Sequence, residues 1–201
     1  MNPLRLHLTA GLFTLLAACG GSGSNPLGNP ALVNNPPITG GQNLSFVYFQ
    51  KCINPIFLAA LPVPGNSAGA TNSCASAGCH NNLTGAGGAF RIVPEALPVD
   101  MSLASNTAAA IRTSDMYKNF YSAQSETIVG DIAQSRLLNK PQLLGVLHGG
   151  GLVFASATDA NVLLLQYWIS HPMPAGQDEF SSAASALFTP TDPVAGTCNS
   201  H

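Results

Sequence analysis

Two cysteines and a histidine fall within one short stretch, Cys74-Ala75-Ser76-Ala77-Gly78-Cys79-His80, and restrict this chain more than any other part of it. Two thiols followed at once by an imidazole is the arrangement that ties a c-type haem to protein. Each thiol adds across a vinyl group as a thioether, and the adjacent histidine reaches the iron. The usual spacing leaves two residues between the cysteines; here there are four. Two other readings of the same residues stay open. One is a disulfide-bonded loop with an incidental histidine. The other is a zinc site, for which the adjacent Cys79 and His80 would have to bend sharply onto one ion without a second close Cys/His pair to help.

A chain of 201 residues fits one domain with a small appendage. Only 8% of residues are charged and 46% are apolar, with 20 glycines and 15 prolines, a balance that suits a compact, loop-rich extracytoplasmic protein better than a helical cytosolic one. The formal charge of −2 leaves no basic footprint, so no nucleic-acid partner is expected, and no run of like charge suggests a polyanionic one. The Cys-His stretch occurs once, which implies one haem.

Residues 1–18 read as a signal peptide. Arg5 supplies the positive end, and Leu8 to Ala18 is an apolar run too short to span a bilayer as a mature helix. The run ends Leu16-Ala17-Ala18-Cys19, which resembles the lipobox of bacterial lipoproteins. The resemblance implies lipidation of Cys19 and a membrane anchor; ordinary cleavage after Ala18 is the alternative. Gly20 rather than Asp after the cysteine implies, by the same resemblance, the outer membrane, with the domain facing the periplasm or the surface. Residues 19–42 are rich in Gly, Ser, Asn and Pro and read as a flexible tether. The haem domain is expected over 43–172, and 173–201 as a C-terminal tail packed on it.

Within the domain, Phe46, Phe49, Ile53, Ile56, Phe57 and Ala60 recur at helical spacing and predict a helix over Leu44 to Leu61. Asn43 or Ser45 would cap it, and Pro55 should kink or restart it. A glycine-rich turn over Asn81 to Phe90 leads into a short extended piece, Ala89 to Val93. Met101 to about Ser122 reads as one or two helices with Leu103, Ile111, Tyr117 and Phe120 as core positions. Ser135 to Lys140 reads as a short helix capped by Ser135 and stopped by Pro141. Asp159 to Ser170 is the clearest later helix, with Thr158 as cap and Pro172 as stop, and the tail from Pro174 reads as loop.

Two motifs of serine hydrolases also occur. Gly65-Asn66-Ser67-Ala68-Gly69 has the form of a nucleophile elbow, and His148-Gly149-Gly150-Gly151 that of an oxyanion loop. An elbow needs a strand before its serine and a helix after it; prolines precede Ser67 and the Cys-His stretch follows. The glycine loop also comes after the serine instead of before it. Both motifs are read as decoys.

The ligand opposite His80 sets the chemistry, because a second side chain on the iron suits electron transfer while an open face permits oxygen or peroxide chemistry. The candidates are His148, His171, His201, Met101, Met116 and Met173. Phe49 to Phe57 ahead of the Cys-His stretch, Gly87 to Ile92 after it, Ser135 to Pro141, His148 to Gly151 and Asp159 to Ile169 with Trp168 occur in an informative order. Taken together, over about Leu44 to Ser170, they resemble the small bacterial cytochrome c domains first noted in planctomycete cytochromes. The resemblance implies a mainly α, loop-rich, cytochrome c-like domain around one covalent haem. In ordinary cytochrome c domains a methionine loop before the last helix supplies the sixth ligand; here that place carries His148. Glycines 149 to 151 would let the backbone pass close to a haem plane. His148 is therefore expected as the distal ligand, with Met173 of His171-Pro172-Met173-Pro174 as the runner-up. His171 is expected to cap its helix C-terminus. Tyr117, Tyr121 and Trp168 would pack near the ring or in plain core.

If Cys19 carries lipid and Cys74 and Cys79 carry haem, Cys52 and Cys198 remain, and in an oxidising compartment two leftovers should pair. The competing scheme pairs all four and leaves no haem. The functional expectation is a lipid-anchored, monohaem electron carrier, not an enzyme, serving redox partner proteins through a six-coordinate haem. A haem sensor or peroxidase-like enzyme with a labile distal ligand, and a haem-free disulfide-braced binding lipoprotein, are the alternatives. Low charge and a long tether permit self-association without arguing for it.

Overall fold

The computed structural model describes residues 42–63 and 69–201. The signal peptide, Cys19, the tether and Ser67 of the elbow motif therefore lie outside the described residues. Regular structure is mostly helical and separated by long irregular connections. In chain order it comprises α1 (Phe46–Tyr48), a π-helical turn (Phe49–Ile53), α2 (Asn54–Leu58), β1 (Leu61–Pro62), β2 (Thr71–Asn72), α3 (Ala108–Ile111), α4 (Asp115–Ser125), α5 (Arg136–Asn139), α6 (Ala160–Ser170), a 3₁₀ turn (Ser182–Leu187), β3 (Phe188–Thr189) and β4 (Thr197–Cys198). Two antiparallel pairs, β1 with β2 and β3 with β4, are the only named strands among the described residues.

The first helical stretch is the rod on which the rest packs. Ser45 caps it, its Oγ accepting from Tyr48 N at 3.1 Å. Pro55 has no N–H to offer the preceding turn, and the chain answers by widening that turn to π geometry and restarting as α2 with Pro55 in its first turn. Phe46, Phe49, Ile53, Ile56 and Phe57 are buried, as the periodicity predicts. Ala60 is not: the helix ends at Leu58 and Ala60 lies exposed beyond it.

Around the rod, Phe46 and Phe49 meet Phe120 of α4 edge-on at 5.5 Å each, and Phe49 meets Trp168 of α6 at 5.5 Å. The Trp168 indole N–H donates to Ser45 O at 3.0 Å, so the largest core side chain leaves no polar atom unpaired. α6 begins one residue later than Thr158 would set it. Asp159 is the cap, accepting from Asn161 N, while Thr158 pairs with Ser156. Residues 101–107 are not helical, and the helices of that region are α3 and α4, each started by its own side-chain cap, Thr107 and Ser114. Leu103, expected in the core, is exposed because it falls in the turn before α3. Ser135 precedes α5 but caps nothing. Its buried hydroxyl accepts from Ile128 N and donates to Asp131 O, pinning α5 to the preceding turn.

The tail shares the core. Phe188 and Leu187 are buried, Phe46 N donates to Glu179 O, and the Tyr48 hydroxyl donates to Asn199 O. Lys51 Nζ donates to the carbonyls of Pro193, Val194 and Gly196 at 2.9, 2.8 and 2.6 Å, gathering the last turn under the rod. Cys52 and Cys198 form a disulfide across 146 residues of chain. Glu179 is buried between Arg112 Nε and the Tyr117 hydroxyl, both 2.8 Å from its Oε1. Burial alone would push its carboxyl up, but the bonds from Arg112, the backbone and Tyr117 outweigh that and hold it below the usual carboxylate range.

A Cys52→Ala/Cys198→Ala variant should lose about 3–5 kcal/mol in denaturant unfolding, the loop-closure value for a bridge of this span. A carboxyl depressed in the fold contributes stability above its ordinary pKa, and that contribution is lost as pH falls through the folded value. Wild-type stability should therefore decline more steeply below the carboxylate range than that of Glu179→Gln, as acid unfolding curves of the two would show.

Candidate haem-binding site

The loop bearing Cys74, Cys79 and His80 hangs from the C-terminal end of the rod: Ala75 N donates to Phe57 O at 3.1 Å. Four residues between the cysteines do not spread the motif. His80 N donates to Cys74 O at 2.9 Å, Cys79 N to Ser76 O at 3.0 Å, and Gly78 takes a positive φ of 81° that only glycine adopts without strain. The two extra residues are thus absorbed in a closed turn with both thiols and the imidazole on one short segment. Cys74 and Cys79 are both free, so the scheme in which all four cysteines pair is not the one adopted. Burial, and then the neighbouring Cys79, push the Cys74 thiol up to about 11, so it is held as S–H.

His80 is fixed from behind. Its Nδ1 lies 3.0 Å from Phe90 O, and a carbonyl can only accept, so Nδ1 carries the proton and Nε2 the free lone pair. The extended piece carrying Phe90 is itself clamped. Ile92 N donates to His80 O and Asn82 N to Ile92 O, while the buried Asn119 of α4 receives Val93 N and donates to Val93 O and Asn54 Oδ1. Burial is the main cause that lowers the His80 pKa; the bond to Phe90 opposes it, and His148, Lys140 and Arg91 lower it further. The ring is held neutral, the form in which an imidazole ligates a metal.

His148 comes from the irregular connection between α5 and α6. Val153 N and Phe154 N both donate to Pro141 O, folding the connection back against the end of α5. At its tip, Gly151 takes a φ of +75°, donates to His148 O, and turns its own carbonyl to His148 Nδ1 at 2.8 Å. The two histidines are thus held alike, each by a backbone carbonyl on Nδ1. Their ring centres are 6.2 Å apart and their planes differ by 7°.

Both line one cavity of about 510 Å³, together with Cys74 and Cys79. Its walls are largely apolar, including Phe57, Phe90, Phe154, Leu137 and Leu165. That volume is in the range of cofactor pockets. With metal–imidazole bonds of about 2.0 Å and about 1.1 Å from nitrogen to ring centre, two imidazoles on opposite sides of one ion have centres about 6 Å apart. The histidine spacing, the free thiols and the cavity therefore fit a haem. A zinc site does not fit as well: among the described residues no three His, Cys, Asp or Glu side chains gather around one point.

The remaining candidates lie elsewhere. Met173, the runner-up, is buried in the core where its N–H donates to Asn43 O, and it does not line the cavity, being carried away by the turn after α6. Met116 is core, Met101 lines a separate surface hollow, and His201 is exposed at the end of the tail. His171 donates from Nδ1 to Tyr167 O at the end of α6 and stacks on the Tyr167 ring at 3.9 Å. Tyr117 bonds Glu179, Tyr121 is exposed, and Trp168 is core; none of the three lines the cavity. The sequence reading missed the two carbonyls that orient the histidines, and it missed Gly87. A Cβ at Gly87 would stand 2.5 Å from His80 Nδ1 and 2.7 Å from Cys79 O. The neighbouring glycine pair was the available signal. No protein-family model, curated protein or solved structure matches this chain. Among the described residues no helix is long and apolar enough to cross a membrane.

Gly87→Ala should displace the His80 ring and cost about 1–3 kcal/mol, the usual range for overpacking. Gly149→Ala, with nothing among the described residues within 4 Å of the added carbon, should be near neutral. Denaturant unfolding of the two variants compares them directly.

Proposed function

We propose that this chain is a monohaem c-type cytochrome that carries electrons, its small helical domain being cytochrome c-like. The observation that carries the reading is the pair of near-parallel imidazoles, each with its Nδ1 engaged and its Nε2 free, beside two free thiols at one cavity. A haem held there supplies a reversible one-electron ferric–ferrous couple.

The residues divide the work. Cys74 and Cys79 would hold the haem as thioethers, S–H adding across each vinyl C=C without an oxidant. His80 and His148 would hold the iron, and the carbonyls of Phe90 and Gly151 keep both rings in one tautomer and one orientation. Phe57, Phe90, Phe154 and Leu165 would keep water from the bound group and lower the local dielectric. An iron held by both histidines would ask no side chain to move a proton. Two imidazoles favour ferric iron relative to a His/Met pair, so a low reduction potential is expected. Cys19 would tether the domain to the outer membrane, where soluble or membrane-bound redox proteins would be its partners.

The protein made in a strain competent for cytochrome c maturation should gain the mass of one haem that resists acid-acetone extraction. Its reduced form should show the sharp visible bands of a six-coordinate haem and bind little carbon monoxide. His148→Ala should bind carbon monoxide readily. Ready binding by the wild type would favour the sensor or peroxidase-like alternative, and a colourless protein of polypeptide mass would leave only the haem-free lipoprotein.

A further inference from the structure

We infer that Arg136 and Lys140 hold the carboxylates of the group seated in the cavity, which on the reading above are the two haem propionates. The inference rests on that reading and adds to it the end of the cavity at which the anionic edge lies. Cations are scarce in this chain, and three of those described outside the cavity lining are engaged elsewhere. Lys51 is surrounded by three tail carbonyls, Arg112 pairs with Glu179, and Lys118 pairs with Asp115 at 2.7 Å. Arg91 has its Nη1 buried beside Gly85 with no hydrogen-bond partner among the described residues, and it does not line the cavity. Arg136 and Lys140 do line it, and among the described residues neither has a carboxylate within ion-pairing distance.

Their placement is built, not incidental. They stand four residues apart on α5 and its C-terminal cap, a spacing that puts two side chains on one helix face. Leu137 and Leu138 are buried between them, Ser135 pins the start of the turn, and Leu137 N donates to Glu126 O. Glu126 is the only acidic residue among the described residues lining the cavity, so two cations there face one carboxylate. The rest of the lining is mostly apolar, with Asn72, Ser73 and the two histidines as its other polar members. A flat ligand with a hydrophobic body and two carboxylates on one edge matches this distribution. Its body lies against the aromatic walls, and its carboxylates meet a guanidinium capable of a bidentate bond and an ammonium. Arg136 is exposed and Lys140 partly buried, so the two cations stand where the cavity meets solvent.

Resonance Raman spectroscopy of the ferrous holoprotein reads this directly, because the propionate-bending band follows hydrogen bonding to the carboxylates. The band should be displaced in Arg136→Gln and in Lys140→Gln, and stay at the wild-type position in Lys118→Gln, which removes the same charge at a distance. Arg136→Lys, which keeps the charge but not the fork, should give a smaller displacement and serves if Arg136→Gln matures poorly. An unmoved band in both cavity variants, or equal movement in all three glutamine variants, overturns the assignment. A wild-type protein with no haem spectrum at all overturns the haem reading itself, a separate and distinguishable failure.

Discussion

Everything described in this domain leans on the buried aromatic face of the rod from Phe46 to Leu58. Phe46 and Phe49 receive α4 and α6 through Phe120 and Trp168, Ser45 gives its carbonyl to the Trp168 indole, and Cys52 holds the tail covalently. The same rod ends at Phe57, whose carbonyl suspends the Cys-His loop and whose ring meets Phe90 at 5.2 Å. Since Phe90 also holds His80, the orientation of that imidazole is set by the core and not by the loop alone. Scaffold and site are continuous, so the geometry of His80 is tied to the packing of the core.

The two histidines arrive by different routes. His80 is locked by a chain of backbone and asparagine hydrogen bonds running into α4, the pattern of a ligand positioned by the interior. His148 is locked by its own turn, through Gly151, at the tip of a connection tied back at Pro141. The site therefore has one side built into the core and one carried on an anchored loop. Ahead of His148 on that connection, Leu143, Leu144 and Leu147 are exposed, the last to 91%.

Much of this was readable from the residues. The Cys-His stretch is local, so the expectation it raises does not depend on the fold, and both thiols are free beside His80 at one cavity. The aromatic periodicity of the first helix, its Ser45 cap and the break at Pro55 follow from backbone rules. The pairing of Cys52 with Cys198 followed from what the other cysteines were expected to do, and the disulfide is present. Other features were hidden for definite reasons. Leu103 looks like core by type, but Thr107 caps α3 only after it. Thr158 and Asp159 are both good caps, and a side-chain bond to Ser156 decides between them. Ser135 has the right place for a cap but is turned inward by Ile128 and Asp131. Met173 has a suggestive neighbour in proline, yet the turn after α6 takes it into the core. The carbonyls that orient the histidines carry no side-chain signature, so no reading of residue types could name them.

The account's central claim is that His80 and His148 clasp one iron with their rings nearly parallel. Low-temperature electron paramagnetic resonance of the oxidised holoprotein tests it most directly, because the signal of a bis-imidazole ferric haem depends on the angle between the two planes. The expected result is a rhombic low-spin spectrum of the kind given by near-parallel planes. The highly anisotropic low-spin signal of perpendicular planes, a high-spin signal, or no ferric haem signal would contradict it.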